Sequence, residues 1–201
     1  MKKIFLIMAA LVCSVYALSY AVDAQEANAA KKAVMIIANQ NFQDDEFAQP
    51  KAVLEEIGIQ VTVASTSLDE AVGMNGLKAK PDILMQDVNV ADYDAVIFIG
   101  GSGATVYLDD PVAHKIAQDA VKANKIVGAI CIAPVCLAKA GLLQGKRVTT
   151  YPAQENQKVL LECKATYTAA PVEIDANIIT ADGPQSAKAF GEEIKKALLG
   201  G

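Results

Sequence analysis

The sequence predicts an α/β protein with a doubly wound, mostly parallel sheet and helices on both faces. Three short, unbroken apolar runs support this prediction, because a strand that is buried on both faces of a parallel sheet has no polar side. Helical patterns lie between these runs, so strands and helices alternate along the chain. The runs are AVMIIA at 33–38, AVIFI at 95–99 and IVGAI at 126–130.

The first unit of this fold is strand, helix, strand. The strand at 33–38 is followed by a helical pattern that includes Phe47 and Val53 and ends at Gly58, a residue that favours a helix stop. We expect Pro50 within about the first turn of that helix. Residues 59–64 (IQVTVA) alternate and are rich in β-branched side chains, which predicts the second strand.

The sequence signals for the remaining helices and strands vary in strength. Residues 65–92 stay unassigned, because two glycines and a proline divide them into short pieces that suit a small hairpin. A helix begins at about Pro111 with Asp109 or Asp110 as its cap. The other predicted elements are a helix over 133–140, strands at 147–150 and 178–180, and a last helix over 186–199.

Composition excludes several classes of function. With 18 basic and 23 acidic residues and no basic stripe, the chain is not expected to bind nucleic acid. One histidine and scattered acids make no metal-ligand set. The glycines at 100–103 lack the spacing of a phosphate or dinucleotide loop, so we expect neither a metal nor a cofactor.

The first residues are typical of a signal peptide. Two lysines precede an apolar run, and small residues follow it. We predict cleavage after Ala24, with Ala29 as the alternative, which makes 1–24 the leader and 31–201 a single domain. Export predicts a periplasmic or secreted protein with no membrane partner after cleavage. An uncleaved anchor is the alternative, because the apolar stretch approaches a spanning length.

Several polar or glycine-rich segments follow predicted strands. Because the carboxyl ends of parallel strands meet at one edge of a sheet, these segments are expected to converge on a ligand site. They are 39–46, 100–103, Cys131 and 149–152.

Cys131 is the candidate nucleophile at this edge. It lies between a buried strand and a helix, as in a nucleophile elbow, where exposed amides favour the thiolate. The backbone N–H groups of Ile132 and Gly101 would form a two-donor oxyanion hole. On position alone, a purely structural role for Cys131 as a small buried hydrophobic residue is supported as well as the role of nucleophile.

Several strings taken together resemble the ThiJ/PfpI family, also called the DJ-one superfamily. The resemblance runs from Lys32 to Leu199 and implies a flavodoxin-like fold of the class I glutamine amidotransferase type. It also implies a homodimer. The strings are AICIAP at 129–134, VTTYP at 148–152, the Gly100-Gly101 turn, Glu46 with Pro50 and Gly58, and TADGP at 180–184.

The resemblance implies that Cys131 is the reactive cysteine and that Glu46 approaches its sulfur. A carboxylate repels a thiolate, so the pair is expected to share one proton, which Glu46 donates to the sulfur or to an oxidised sulfinate. Taken alone, Glu46 would be a solvated first-turn acid that suits the helix dipole.

This sequence also departs from the family pattern. Hydrolytic and glyoxalase-like relatives often have a histidine directly after the cysteine or in the VTT turn, where this chain has Ile132 and Tyr151. Its only histidine, His114, is expected at the surface or in a cap. Protease or amidase activity is therefore not expected.

Three functions remain open. The first is an enzyme acting on small electrophilic carbonyls, glyoxalase-like or deglycase-like, in which Tyr151 and Gly100 contact substrate. The second is an oxidative-stress protein in which a small oxidant modifies Cys131. The third is a binding protein that keeps the fold. A Cys136–Cys163 disulfide stays open, and Asp182 is interpreted as a cap for the last helix.

Overall fold

The computed structural model describes residues 31–200 as twelve strands, five α-helices and four short 3₁₀ turns. The helices are α1 (Asp44–Glu55), α2 (Pro111–Lys122), α3 (Pro134–Lys139), α4 (Gln154–Glu162) and α5 (Ala187–Leu199). The strands are β1 (Lys32–Ile36), β2 (Gln40–Phe42), β3 (Gln60–Ser65), β4 (Ala71–Gly73), β5 (Lys78–Ala79), β6 (Ile83–Leu84), β7 (Ala95–Phe98), β8 (Ile126–Ile130), β9 (Arg147–Val148), β10 (Thr166–Tyr167), β11 (Val172–Asp175) and β12 (Ile178–Ala181).

Seven strands form a central sheet in the order β11-β12-β8-β7-β1-β3-β6. Every neighbouring pair is parallel except β11 with β12, which are antiparallel. Helices cover both faces of this sheet. The predicted doubly wound, mostly parallel α/β fold is therefore confirmed.

The two faces of the sheet bury separate apolar cores. Alternate side chains of β1 point to opposite sides, so Val34 lies in one core and Met35 in the other. The first core contains residues of α2 and α3, such as Ile116 and Leu137. The second contains residues of α1 and α5, such as Phe190. This two-sided burial explains why the strand sequences are apolar throughout.

The second core brings α1 against α5 at close range. A Cβ added to Gly191 would lie 2.7 Å from the Cα of Pro50, so glycine is needed at this crossing. The expectation that Pro50 lies in about the first turn is wrong, because α1 begins at Asp44 and Pro50 is its seventh residue. A proline there cannot donate to the carbonyl of Glu46, so α1 lacks one helical hydrogen bond just after its first turn.

Several small elements differ from the sequence predictions or refine them. β4 and β5 form the hairpin suggested for 65–92, and β2 joins them in a three-stranded sheet. The strand expected at 147–150 is only β9, which pairs with β10 outside the central sheet. α4 was missed because only Leu160 in it is buried, which leaves no apolar stripe to detect.

Two expectations concern the membrane and the leader. Within residues 31–200, no helix has both the length and the apolar character needed to cross a bilayer. The predicted leader at 1–24 and its cleavage point lie outside the described residues.

Candidate functional site

Cys131 lies directly after β8 in a left-handed backbone conformation, with φ of 64°. This conformation is uncommon for a residue with a side chain and costs energy. Three hydrogen bonds hold it. The Cys131 N–H donates to the Ala181 carbonyl at 3.0 Å, and the Cys131 carbonyl accepts from the Thr150 hydroxyl at 2.7 Å and the Tyr151 N–H at 2.8 Å. The VTTYP string therefore clamps the elbow, a role the sequence did not reveal.

The clamp predicts a specific effect at Thr150, whose side chain is fully buried. Thr150→Val should lower the free energy of unfolding by about 1–2 kcal/mol, because a buried hydrogen bond to the Cys131 carbonyl is lost. Thr150→Ser keeps the hydroxyl and serves as the matched control. Urea unfolding of both variants measures the difference. Equal stability of the valine and serine variants would show that this hydrogen bond is not part of the clamp.

Glu46 lies beside Cys131, in the first turn of α1. Its backbone N–H donates to the Gln43 side chain at 2.9 Å, which caps the helix and fixes the position of Glu46. The carboxyl is fully buried, and its Oε2 accepts from the Gly100 N–H at 3.1 Å. Within the part of the chain that the structure describes, Oε1 accepts no hydrogen bond from nitrogen or oxygen. Burial rules out the solvated first-turn acid considered for Glu46.

Gly100 makes this approach possible. A Cβ on Gly100 would lie 2.5 Å from both the Cys131 Cβ and the Glu46 Oε2, so any side chain would separate the thiol from the carboxyl. The Gly100 N–H is used by Glu46. A substrate contact by Gly100 stays a prediction.

Burial governs the charges of the pair. Burial raises the pKa of Glu46 to about 7, although hydrogen bonds from the Cys131 thiol and the Gly100 N–H act in the opposite direction. Burial and then the neighbouring Glu46 raise the pKa of the Cys131 thiol to about 12. The backbone amides favour the thiolate as expected, because they lower this pKa, but desolvation outweighs them.

The two pKa values define a range in which the pair carries one proton. Between about 7 and about 12, one proton is shared by the Glu46 carboxyl and the Cys131 sulfur. In this state the carboxylate can accept the thiol proton as the sulfur attacks. A base that ionises near neutral pH suits general base catalysis, so Glu46 can take the role usually given to histidine.

The two predicted oxyanion donors act on the thiol. The backbone N–H groups of Gly101 and Ile132 both lower the pKa of Cys131. Gly101 has φ of 103°, and a Cβ there would lie 2.5 Å from the carbonyl oxygen of Asn41. Glycine is therefore required for the loop to bring this N–H to the sulfur.

Tyr151 and Asp182 border a groove beside the elbow. The Tyr151 side chain is 47% exposed, whereas Cys131 is only 7% exposed. The groove has a volume of about 330 Å³, at the lower end of the range for small-molecule sites. It is lined by Tyr151, Pro152, Asp182, Gly183, Pro184 and Gln185.

The interpretation of Asp182 as a helix cap is wrong. Its Oδ1 accepts from the Ser186 hydroxyl at 2.5 Å, and neither the 3₁₀ turn at Pro184–Ser186 nor α5 has a side-chain cap. Its position after the end of β12, at the predicted functional edge, was the available signal for a site residue.

The other candidate residues lie away from the sulfur. His114 is half-buried, and its Nε2 contacts the Leu108 carbonyl at 2.8 Å. Cys136 is buried with its Sγ 3.4 Å from the Tyr107 carbonyl, and Cys163 is half-exposed after α4. Both thiols are free, so the structure contains no Cys136–Cys163 disulfide. No group of metal-ligating side chains occurs among the described residues.

The fold and site together define a flavodoxin-like α/β protein with a cysteine elbow and a buried carboxyl beside it. The profile of the DJ-1/PfpI family matches residues 31–197, and the chain belongs to that family. A solved ThiJ/PfpI domain protein from Brachyspira murdochii superposes with a TM-score of 0.78 at 30% identity, covering 84% of this chain and 94% of that one.

Three relatives indicate the range of the family. Uncharacterized protein MJ0967 of Methanocaldococcus jannaschii is 41% identical over 83% of this chain and 82% of its own length. Deglycase PYRAB04690 of Pyrococcus abyssi is 29% identical over 82% of this chain and 98% of its own. Glutathione-independent glyoxalase DJR-1.2 of Caenorhabditis elegans is 28% identical over 86% of this chain and 91% of its own.

Proposed function

We propose that this protein is an exported, cysteine-dependent enzyme that acts on small electrophilic carbonyls. The observation that carries the proposal is the fully buried Glu46 carboxyl at the Cys131 sulfur, with a pKa raised to about 7. Two relatives named as a glyoxalase and a deglycase support the substrate class. The protein would need no cofactor, because the thiol and the carboxyl supply the nucleophile and the base.

The first step is addition to an α-oxoaldehyde. The Glu46 carboxylate takes the thiol proton while the Cys131 sulfur forms a bond to the aldehyde carbon. The carbon–oxygen π bond breaks, and the new oxyanion takes the proton back from Glu46. The N–H groups of Gly101 and Ile132 would stabilise the developing charge, and their lowering effect on the pKa of Cys131 supports this role. The product is a hemithioacetal.

The second step moves hydrogen within the adduct. Glu46 removes the proton from the former aldehyde carbon and returns it to the neighbouring carbon, while the hydroxyl proton of the hemithioacetal passes to the neighbouring ketone oxygen. The hemithioacetal thereby becomes a thioester of a 2-hydroxy acid. Water then cleaves the thioester and restores the thiol. The net reaction adds one water to the oxoaldehyde and needs no external oxidant or reductant. Tyr151, which lines the groove, would contact a substrate oxygen.

Methylglyoxal is the probe that tests this proposal. The mature protein, incubated with methylglyoxal and no cofactor, should release lactate in equal amount to the methylglyoxal consumed, which proton NMR measures directly. Loss of methylglyoxal without lactate would show that the protein forms adducts only. If methylglyoxal persists unchanged, the proposed activity is wrong.

A redox-responsive protein is the second candidate. A protonated Glu46 would donate a hydrogen bond to a Cys131 sulfinate, the reverse of the present bond from the thiol to the carboxylate, and the amides of Gly101 and Ile132 would donate to it as well. Mass spectrometry of the peroxide-treated protein tests this alternative. Addition of two oxygen atoms at Cys131 would support it. Oxidation of the half-exposed Cys163 with Cys131 unchanged would contradict it.

Two parts of the proposal rest on the sequence alone. Export and a periplasmic or secreted location depend on a leader outside the described residues, so they stay predictions. The homodimer implied by the family also stays a prediction.

A further inference from the structure

The groove beside Cys131 carries a single charged side chain among its six lining residues, that of Asp182. Both walls are connected to the elbow through the backbone. Asp182 follows Ala181, whose carbonyl accepts from the Cys131 N–H, and Tyr151 donates its own N–H to the Cys131 carbonyl. Both walls of the groove therefore adjoin the main chain of Cys131, which is not itself a lining residue.

The charge of Asp182 is not neutralised within the described residues. Its Oδ1 accepts from the Ser186 hydroxyl, and none of the ion pairs between residues 31 and 200 includes it. Its field also reaches the buried pair, because it contributes to the raised pKa of Glu46. Asp45, exposed in the first turn of α1, acts in the same direction. Both carboxylates therefore add negative potential at the buried pair.

Tyr151 adds a second feature that suits a cation. Its ring lies close to the backbone of the opposite wall, since a Cβ on Gly183 would be 3.6 Å from the Tyr151 Cδ2. Nearly half of the side chain remains exposed. An aromatic face together with an unpaired carboxylate is a chemistry that binds ammonium or guanidinium groups.

We propose that Asp182 and Tyr151 make this groove a subsite for a positively charged group, so that Cys131 reacts with cationic and neutral electrophiles and discriminates against anionic ones. The inference rests on the proposed function, because it assigns a charge preference to the same thiol. Among carbonyl substrates, neutral or cationic α-oxoaldehydes would be accepted, and those bearing a carboxylate, such as glyoxylate, would be disfavoured.

Three methanethiosulfonate reagents test this selectivity without requiring turnover. They transfer a trimethylammonium-ethylthio, a methylthio or a sulfonatoethylthio group. In each case the Cys131 thiol gives its proton to Glu46 or water, its sulfur attacks the reagent sulfur that carries the alkyl group, the bond between that sulfur and the sulfonyl group breaks, and a disulfide and methanesulfinate form. Peptide mass spectrometry follows the rate at Cys131 separately from that at Cys163. The ratio of the cationic to the anionic rate is divided by the same ratio for free 2-mercaptoethanol, because a thiolate by itself favours the cationic reagent. In the wild type this normalised ratio should be at least about 10, as expected for a nearby unit charge at low salt.

Asp182→Asn is the decisive variant, because asparagine can still accept from the Ser186 hydroxyl. It should reduce the ratio of cationic to anionic rate by about 10-fold. The neutral reagent corrects for any change in the reactivity of the thiol itself. Asp92→Asn is the matched control, since Asp92 is exposed just before β7, at the opposite edge of the sheet. It removes the same charge and should leave the ratio unchanged.

The outcomes separate this inference from the proposed function. A normalised wild-type ratio near one, or an equal effect of Asp182→Asn and Asp92→Asn, would overturn the subsite. Charge-selective labelling without lactate formation from methylglyoxal would keep the subsite and reject the proposed enzyme. Lactate formation with no charge preference in the labelling would support the proposed enzyme and reject the subsite.

Discussion

Replacing Cys131 with serine lowers the rate of lactate formation from methylglyoxal by at least about 1000-fold, because the proposed reaction depends on a carbon–sulfur bond. A serine hydroxyl has nearly the same shape, but its proton is far harder for the Glu46 carboxylate to remove. The backbone hydrogen bonds of the elbow involve only the main chain of residue 131, so the conformation should persist. Initial rates over a range of methylglyoxal concentrations measure the effect.

Cys163→Ser is the matched control for this loss. Cys163 is a half-exposed free thiol after α4, outside the site, so its replacement should leave turnover within about twofold of wild type. Full activity in Cys131→Ser would remove this thiol from the mechanism. An equal loss in the two serine variants would point to a general effect on the fold.

Replacing Glu46 with glutamine removes a pH dependence from both reactivity and stability. In the wild type, the rate of Cys131 alkylation by iodoacetamide should rise as the pH passes through about 7, where the buried pair loses its first proton. Glutamine cannot ionise or accept the thiol proton, so this step should disappear. Lactate formation should also fall by at least about 100-fold at neutral pH.

The stability change has a defined sign. The pKa of Glu46 is raised in the folded state from 4.5 to about 7, so between these values the folded protein binds more protons than the unfolded chain. Stability from this group is complete below about pH 4.5 and is lost as the pH rises through about 7, by about 3 kcal/mol in all. Glu46→Gln should remove this loss.

Urea unfolding of the wild type and Glu46→Gln between about pH 5 and about pH 8 measures the difference. Asp45→Asn is the matched control, because Asp45 is an exposed acid in the same turn of α1. It should keep nearly all of the wild-type pH dependence, because Asp45 is the smallest contributor to the raised pKa of Glu46. The assignment of the titration to Glu46 would be wrong if Glu46→Gln lost stability over this range as the wild type does.

Local patterns in the sequence determined the main features of the fold. The runs at 33–38, 95–99 and 126–130 predicted three buried strands, and β1, β7 and β8 lie there. The cap choice at Asp109 or Asp110 resolves to Asp110, whose side chain accepts from the first N–H groups of α2. These signals are readable because burial on both faces and helix capping depend on residues near one another in the chain.

The site was only partly accessible from such local patterns. Because the carboxyl ends of parallel strands share one edge of a sheet, the positions of Cys131, Gly101 and Tyr151 after predicted strands indicated that they converge. The sequence did not show that Thr150 holds the elbow by a hydrogen bond or that Asp182 borders the groove. It also gave no sign of α4. Each of these depends on contacts between segments far apart in sequence, or, for α4, on a helix with almost no buried face.

The sequence alone determined the class of fold and the position of one cysteine at the end of a buried strand. Only the tertiary structure decided that the Glu46 carboxyl is fully buried beside it and that the thiol pKa is raised rather than lowered. The physical reason is that desolvation depends on everything packed around a group. The groups packed around Glu46 and Cys131 come from α1, the loop after β7, the turn after β8 and the segment after β9.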